Sequence, residues 1–532
     1  MLKDVALSVS LANLCFYRAW RLLLNPDYYY LQRPRFNELA AITINVAALA
    51  LLFLLGIMLV RRSGRKFVRR LARWVFLLAL LLPLNGLRGD LPGLTRANLV
   101  GLFGMRGLLA LGVCLLLAGA FVLARWSAQI FRAAVVVVLI LSPFVLITFA
   151  RGAWFALNNN VTEAVTKGLG KNDAPHAPPG DSATRGRRVV WILFDEMDER
   201  LAFEDRPGTI TLPEFDRLRG ESLFAARAYA ATGRTKTAIP SLLIGKLICR
   251  AQELRENDLQ IKFQESGEVS SFGAQPNVFT RARAAGIGTA LAGWYHPYCR
   301  LLNESLTRCY SQTNEAMAGP KLTLAGSMLH QISTSTHPLP LVKPFVPANR
   351  RLVRQKRIAE YTGLLEASKN LATDSSAALV LLHLPVPHPP GIFDRTKGEL
   401  SDEDDRSYVD NLVLADRTLG ALRRALEETG LWESTTVLAS SDHWWRVPNI
   451  WEKEESLWTR GDAAAWDGRV DHRVPFILKL AGQSAGKTYG APFNAVLSQD
   501  LIMAVLRGEI IDADAASAWL DRHRSIADSP CN

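Results

Sequence analysis

The sequence predicts an N-terminal transmembrane helical bundle followed by an α/β domain with a mostly parallel central sheet. Stretches of about 20 mostly apolar residues recur through the first part of the chain, the length a helix needs to cross a ~30 Å hydrocarbon core. In the second part, continuous apolar, β-branched runs alternate with helical patterns, as in a sheet covered on both faces. Polar residues able to hold a metal stand directly after several of those runs, at the strand ends where such sheets bind their ligands.

The membrane part comes first. A mean hydropathy of +0.08 is high for a chain of 532 residues of which 21% are charged, so the apolar residues must be segregated. Spans are expected at 4–24, 38–60, 71–90, 97–124 and 131–150, within a transmembrane domain of residues 1–156. The first span is the weakest, because it contains Arg18 and Arg21, and an interfacial helix is its alternative. The basic stretch from Arg61 to Arg70 places the loop between the second and third spans in the cytoplasm. Counting onward, the loop at 86–96 is external, Arg125 to Arg132 is an internal loop, and the rest of the chain is extracytoplasmic. No removable signal peptide is evident.

Residues 157–187, rich in Asn, Gly, Pro and Ser, read as a linker in which His176 is solvated. The outer domain, 188–532, carries Cys249, Cys299, Cys309 and Cys531, an even number in a compartment where disulfides persist. Cys299 with Cys309 closes a short loop and is the expected pair among the three pairings that four cysteines allow. The net charge of +12 sits largely in membrane loops and scattered helical arginines, without aromatic-basic interleaving. Nucleic acid is therefore set aside, and anionic lipid head groups are the expected counterpart.

The first strand is the run Val189-Val190-Trp191-Ile192-Leu193-Phe194, and Asp195-Glu196 follow it directly. Similar runs at 378–384, 435–440 and 474–480 are further strands, and the pattern from Tyr408 to Gly430 is a helix. His383 and His388 close one strand, and Asp442-His443 follow another. Carboxylates and imidazole on one rim suit a borderline divalent cation, zinc foremost, with manganese or calcium as alternatives. Three protein ligands leave a coordination position open, and a hydroxyl placed there becomes a nucleophile at neutral pH. The turn Ala231-Thr232-Gly233-Arg234-Thr235-Lys236-Thr237 runs into a helix start and supplies three candidates: Thr232, Thr235 and Thr237.

A strand followed by Asp, a Thr turn leading into Ser-Leu-Leu-x-Gly, His-x-x-x-x-His after a middle strand and Ser-Asp-His after a later one together resemble the alkaline phosphatase superfamily in its sulfatase-like branch. Within that branch the chain is most similar to membrane-anchored phosphoethanolamine and phosphoglycerol transferases. The resemblance implies metal ligands at Asp195, Glu196, Thr235, Asp442 and His443, where Asp195 replaces the usual Glu of the transferases and Glu196 resembles the double acid of sulfatases. In the sulfatase branch the nucleophile stands ten positions before the Gly of Leu-Leu-x-Gly, and 245 − 10 = 235 selects Thr235. His388 and His472 are implied as acid-base residues, with His383 and Thr237 at the substrate. The Cys/Ser-x-Pro-x-Arg frame that sulfatases convert to formylglycine does not surround Thr235, so sulfate ester hydrolysis by that route is not expected.

The implied activity is transfer of a phosphoryl head group from a membrane phospholipid donor to a glycan or lipid acceptor, through a phosphothreonine, on the outer face of a bacterial-type inner membrane. The alternatives are a phosphodiesterase or phosphatase using water as acceptor, and a non-catalytic outer domain with a vestigial site.

Overall fold

The computed structural model describes residues 1–24, 36–88, 96–157, 164–167, 187–255, 257–313, 323–336, 350–447, 451 and 457–524. The expected linker lies outside these apart from its ends and a four-residue strand, and so do His176 and Cys531. The chain forms two compact units. The first comprises Met1–Tyr28, Arg33–Val161 and Lys321–Ala348, and the second takes up the rest.

The first unit is helical: α1 (Leu2–Cys15), α2 (Tyr17–Leu23), α3 (Phe36–Ser63), α4 (Lys66–Ala79), α5 (Leu81–Arg88), α6 (Arg96–Ile140) and α7 (Pro143–Leu157). Three expectations are corrected here. The first span is broken at Phe16 and the third between α4 and α5. In place of the internal loop expected from Arg125 to Arg132 the chain kinks at Trp126, whose backbone is non-helical, and continues directly as helix to Ile140. No Gly or Pro follows Trp126 until Pro143, so nothing stops the helix sooner.

Among the described residues one helix, α3, is long and apolar enough to cross a membrane. The bent pair Arg125–Ile140 and Pro143–Trp154 makes a second if the two count as one span. The helix Leu324–Thr336, expected in the outer domain, packs on α3. Asn45 Nδ2 donates to Met328 O and to Gln331 Oε1, both at 3.1 Å, and Gln331 Nε2 donates to Glu38 O at 2.7 Å.

The second unit is an α/β domain around a nine-stranded sheet. Its strands are β1 (Ala164–Lys167), β2 (Arg188–Phe194), β3 (Leu223–Ala225), β4 (Thr289–Tyr295), β5 (Arg308–Thr313), β6 (Leu379–Leu384), β7 (Thr435–Ser441), β8 (Phe476–Lys479) and β9 (Lys487–Tyr489), in the order β1-β5-β4-β6-β2-β7-β8-β3-β9. The centre from β5 to β7 is wholly parallel. The run at 474–480 became β8, which pairs antiparallel with β7.

Strand β2 shows why its sequence is apolar without alternation. Val189, Trp191 and Leu193 enter one core cluster, whereas Val190, Ile192 and Phe194 enter the cluster on the opposite face. Register then sets the rim: Phe194 lies level with Leu384 of β6 and Ser441 of β7, so the residues that follow converge. The expected disulfide Cys299–Cys309 is present and ties the turn after β4 to the start of β5.

Candidate active site and metal centre

The Thr turn enters helix α8 (Thr235–Ile244) through Arg234, whose backbone is extended and whose side chain does not cap the helix. Two buried hydroxyls diverge there. Thr237 Oγ1 pairs with Thr232 Oγ1 at 2.7 Å and donates to Arg234 O at 3.1 Å, which closes the turn. Thr235 Oγ1 instead lies 3.1 Å from His443 Nε2, and Thr235 O accepts from His296 Nε2 at 3.1 Å. The residue is thus held at its hydroxyl and at its carbonyl by two imidazoles from different loops.

His443 Nδ1 donates to Trp444 O at 3.0 Å, which leaves the lone pair on Nε2. That nitrogen is 3.3 Å from Asp442 Oδ2 and 3.7 Å from Asp195 Oδ1. Asp442 Oδ1 accepts from the backbone N–H groups of Glu196 (3.0 Å) and His443 (2.8 Å), so Oδ2 faces the site. Both oxygens of Asp195, Asp442 Oδ2 and His383 Nε2 are buried and make no hydrogen bond among the described residues. Orphaned buried carboxylate oxygens cost several kcal/mol unless a positive charge meets them.

The ionisation behaviour agrees. Burial, reinforced by the neighbouring Asp442 and Glu196 charges, holds Asp195 well above the usual carboxylate range. Burial also pushes Asp442 up to about 7. The same desolvation keeps His443 and His388 well below the ordinary imidazole value and takes His296 and His383 down to about 3. Carboxylate oxygens without a hydrogen-bond donor, beside the neutral His443 imidazole whose Nε2 lone pair faces them, fit a divalent cation. Two overlapping groups qualify, Asp195/Asp442/His443 and Asp195/Glu196/His388.

The model of the Sulfatase family matches residues 187–507, more than half of the chain. The chain belongs to the sulfatase family. Sulfatase-family members are enzymes that use divalent metals, which accords with the cluster of orphaned ligands on the sheet rim. Among solved structures, the phosphonate monoester hydrolase of Agrobacterium radiobacter is 17% identical and the match covers 60% of this chain and 73% of that one, with a TM-score of 0.36. A protein in the alkaline phosphatase superfamily from Vibrio parahaemolyticus is 12% identical over 65% and 72% of the two chains, with a TM-score of 0.38. Ps i-CgsB, solved in complex with k-i-k-neocarrahexaose, is 14% identical over 62% and 74%, with a TM-score of 0.41. No curated protein matches the chain.

The sulfatase domain gathers most of the residues singled out from sequence: Asp195, Glu196, Thr235, His383, His388, Asp442 and His443 are all buried on this rim. His388 donates from Nδ1 to Pro389 O at 2.6 Å and is flanked edge-on by Trp294 (5.1 Å) and Trp451 (5.0 Å), with Nε2 3.6 Å from Glu196 Oε2. His383 pairs through Nδ1 with the Tyr298 hydroxyl at 2.7 Å. Thr237 belongs to the turn. His472 packs on Trp444, with the two rings 4.1 Å apart.

Sequence reasoning did not find His296 or Arg446. The first follows β4, so the rim rule that selected Asp195 and Asp442 would have selected it too. The second has no such signal, because its partner Glu196 is 250 residues away.

Proposed function

We propose that the chain is a membrane-anchored transferase that moves a phosphoryl head group, phosphoethanolamine or phosphoglycerol, from a phospholipid to a glycan or lipid acceptor outside the cytoplasmic membrane. The observation that carries this reading is the buried Thr235 hydroxyl aimed at His443 Nε2 beside three orphaned carboxylate oxygens. A divalent cation held by Asp195, Asp442 and His443, zinc foremost, would supply positive charge against the developing oxyanion and favour the ionised hydroxyl.

The chain's own residues do the rest. His296 holds the Thr235 carbonyl so that Oγ1 attacks the donor phosphorus, and the bond from phosphorus to the diacylglycerol oxygen breaks. His388, neutral and with Nε2 free of hydrogen, takes the proton and delivers it to the leaving alkoxide. The acceptor hydroxyl then attacks the phosphothreonine, gives up its proton by the same route in reverse, and frees Thr235. His388 is preferred to His472 for this role because its ligand atom lies in one cluster with Asp195.

Support for a lipid donor comes from the first unit. Leu51, Leu52, Leu55 and Leu59 on α3 are exposed, as are Val136, Val137 and Ile140 on α6, an apolar surface suited to hydrocarbon. The large outer domain then stands on the side opposite the basic residues Arg61 to Arg70. Intact-protein mass spectrometry after incubation with mixed phospholipids tests the reading. Wild type and Thr237→Ala should carry a head-group phosphate adduct and Thr235→Ala none. An adduct that persists on Thr235→Ala moves the nucleophile, and no adduct on any form favours direct hydrolysis.

A further inference from the structure

The helix Leu324–Thr336 is turned the wrong way round for water. Ser327, Gln331 and Ser335, spaced i, i+4 and i+8, make one face, and all three are buried. Ala325, Leu329 and Ile332 lie on the far side and are exposed, Leu329 at 67%, while His330 stands on one edge between the faces. A helix on a water-facing surface buries its apolar stripe and presents its polar one to solvent. Polar and small residues turned inward with aliphatic ones outward suit a helix surrounded by hydrocarbon, where side-chain amides hold helices together.

The face that receives it is on α3, and it fixes a depth. Asn45 Nδ2 donates to Met328 O and to Gln331 Oε1, and Gln331 Nε2 donates to Glu38 O. At the other end of α3, Arg61 pairs with Asp4 at 2.5 Å, which marks where that end meets water. Glu38 and Arg61 stand 23 residues apart, about 34 Å of helix, slightly more than a ~30 Å hydrocarbon core. Glu38 then lies at the opposite interface, and Asn45, two turns further along, lies about 10 Å below it. Gln331 bridges both levels. With 13 residues the helix is too short to cross the core. The chain reaches it after β5 and leaves it for the helix Arg350–Ala372, both of the α/β domain, so it enters and leaves on one side.

We propose that Leu324–Thr336 is embedded in the outer leaflet, with Ala325, Leu329 and Ile332 against lipid acyl chains and Ser327, Gln331 and Ser335 against α3. The occupant of the exposed face is lipid because that face sits at the edge of the hydrocarbon, on a helix whose inward side is polar. The α/β domain is thereby fastened to the bilayer at a second place in its sequence. The inference rests on the membrane reading of α3 given above and adds a second attachment to it.

The test places the wild-type full-length chain in vesicles of phosphatidylethanolamine and phosphatidylglycerol that carry a trace of phosphatidylcholine with a photoactivatable diazirine in its acyl chain. After illumination, the labelled residues are mapped by mass spectrometry. Ile511, 68% exposed in the α/β domain, serves as the control for an aliphatic side chain in water. Leu329 and Ile332 should carry about tenfold more label than Ile511 or better, together with Leu55 and Leu59 of α3, and Ser327, Gln331 and Ser335 should carry none. Label on Leu55 and Leu59 without Leu329 and Ile332 overturns the inference and leaves the membrane reading standing. That is the result if water or a second copy of the chain covers this face. Label on the Ser327 and Gln331 face also overturns it, and label on neither helix overturns both readings.

Discussion

Gly233 lies flat against the Trp444 ring, and the consequence can be worked out in ångströms. A Cβ at that position would stand 2.6 Å from Trp444 Cη2 and 2.7 Å from Cζ2. Carbon atoms settle at about 3.5 Å or more, so one partner must retreat by about 0.9 Å. The ring has nowhere to go, being 6% exposed and packed 4.1 Å from the His472 ring. The shift is then taken up by the turn two residues before Thr235 or by the segment one residue after His443. A misplacement of about 1 Å between reacting groups costs on the order of 10²-fold in rate. Gly233→Ala should therefore lower kcat/KM toward a chromogenic phosphodiester about 100-fold, while the overpacking itself destabilises the fold by only about 1–3 kcal/mol. Adding Trp444→Leu makes room for the methyl group and should recover most of the rate. Gly233→Ala turning over within twofold of wild type would refute the reasoning, as would a double variant no faster than the single one.

Asp442→Asn keeps an oxygen for the Glu196 and His443 amides but loses the oxygen that faces the site, so the metal-free protein should melt no lower than wild type at pH 8. Its zinc affinity, read by calorimetry, should fall at least ~100-fold, beyond the effect of outer-shell changes. Asp416, whose Oδ1 accepts from Phe215 N at 2.9 Å at the start of the helix Pro213–Gly220, is pushed up to about 7 by burial. A raised carboxyl holds its proton more tightly in the native state, so its stabilising contribution is present below about pH 4 and is lost as pH rises through 7. Denaturant titrations should show that loss in wild type and not in Asp416→Asn, and parallel curves would contradict it. A reporter fused after Asn532 should be active only in the oxidising compartment, and cytoplasmic activity would overturn the proposed orientation.

The candidate rim was readable because its code is local. A two-faced apolar strand that ends in Asp or Asp-His announces ligands at the strand's carboxyl end, and register brings such ends level without further information. Strand direction was not readable, since an apolar run has the same pattern whether parallel or antiparallel, as β8 shows. Strand β4 escaped notice because Thr289, Ala290, Ala292 and Gly293 dilute its hydrophobic signal, and His296 was missed with it. Glu196 shows a different limit. A second acid after a strand reads as a ligand, and nothing in the sequence shows that a guanidinium from another loop contacts it as well. Composition located apolar helical segments, of which one among the described residues, or two with the bent pair, is long and apolar enough to cross a membrane, and their breaks depend on packing that hydropathy does not encode.

The docking of Leu324–Thr336 on α3 means that no single point on the chain divides the molecule in two. A protease that cut within 168–186 would leave two fragments, and the downstream one would still hold the helix whose Gln331 is bound by Asn45 and Glu38 of the upstream one. The nicked protein should stay together through extraction and chromatography. Conversely, a soluble domain begun at residue 188 would carry this helix without its partner. A faithful excision needs two edits, a new start after the linker and a short bridge in place of residues 321–348.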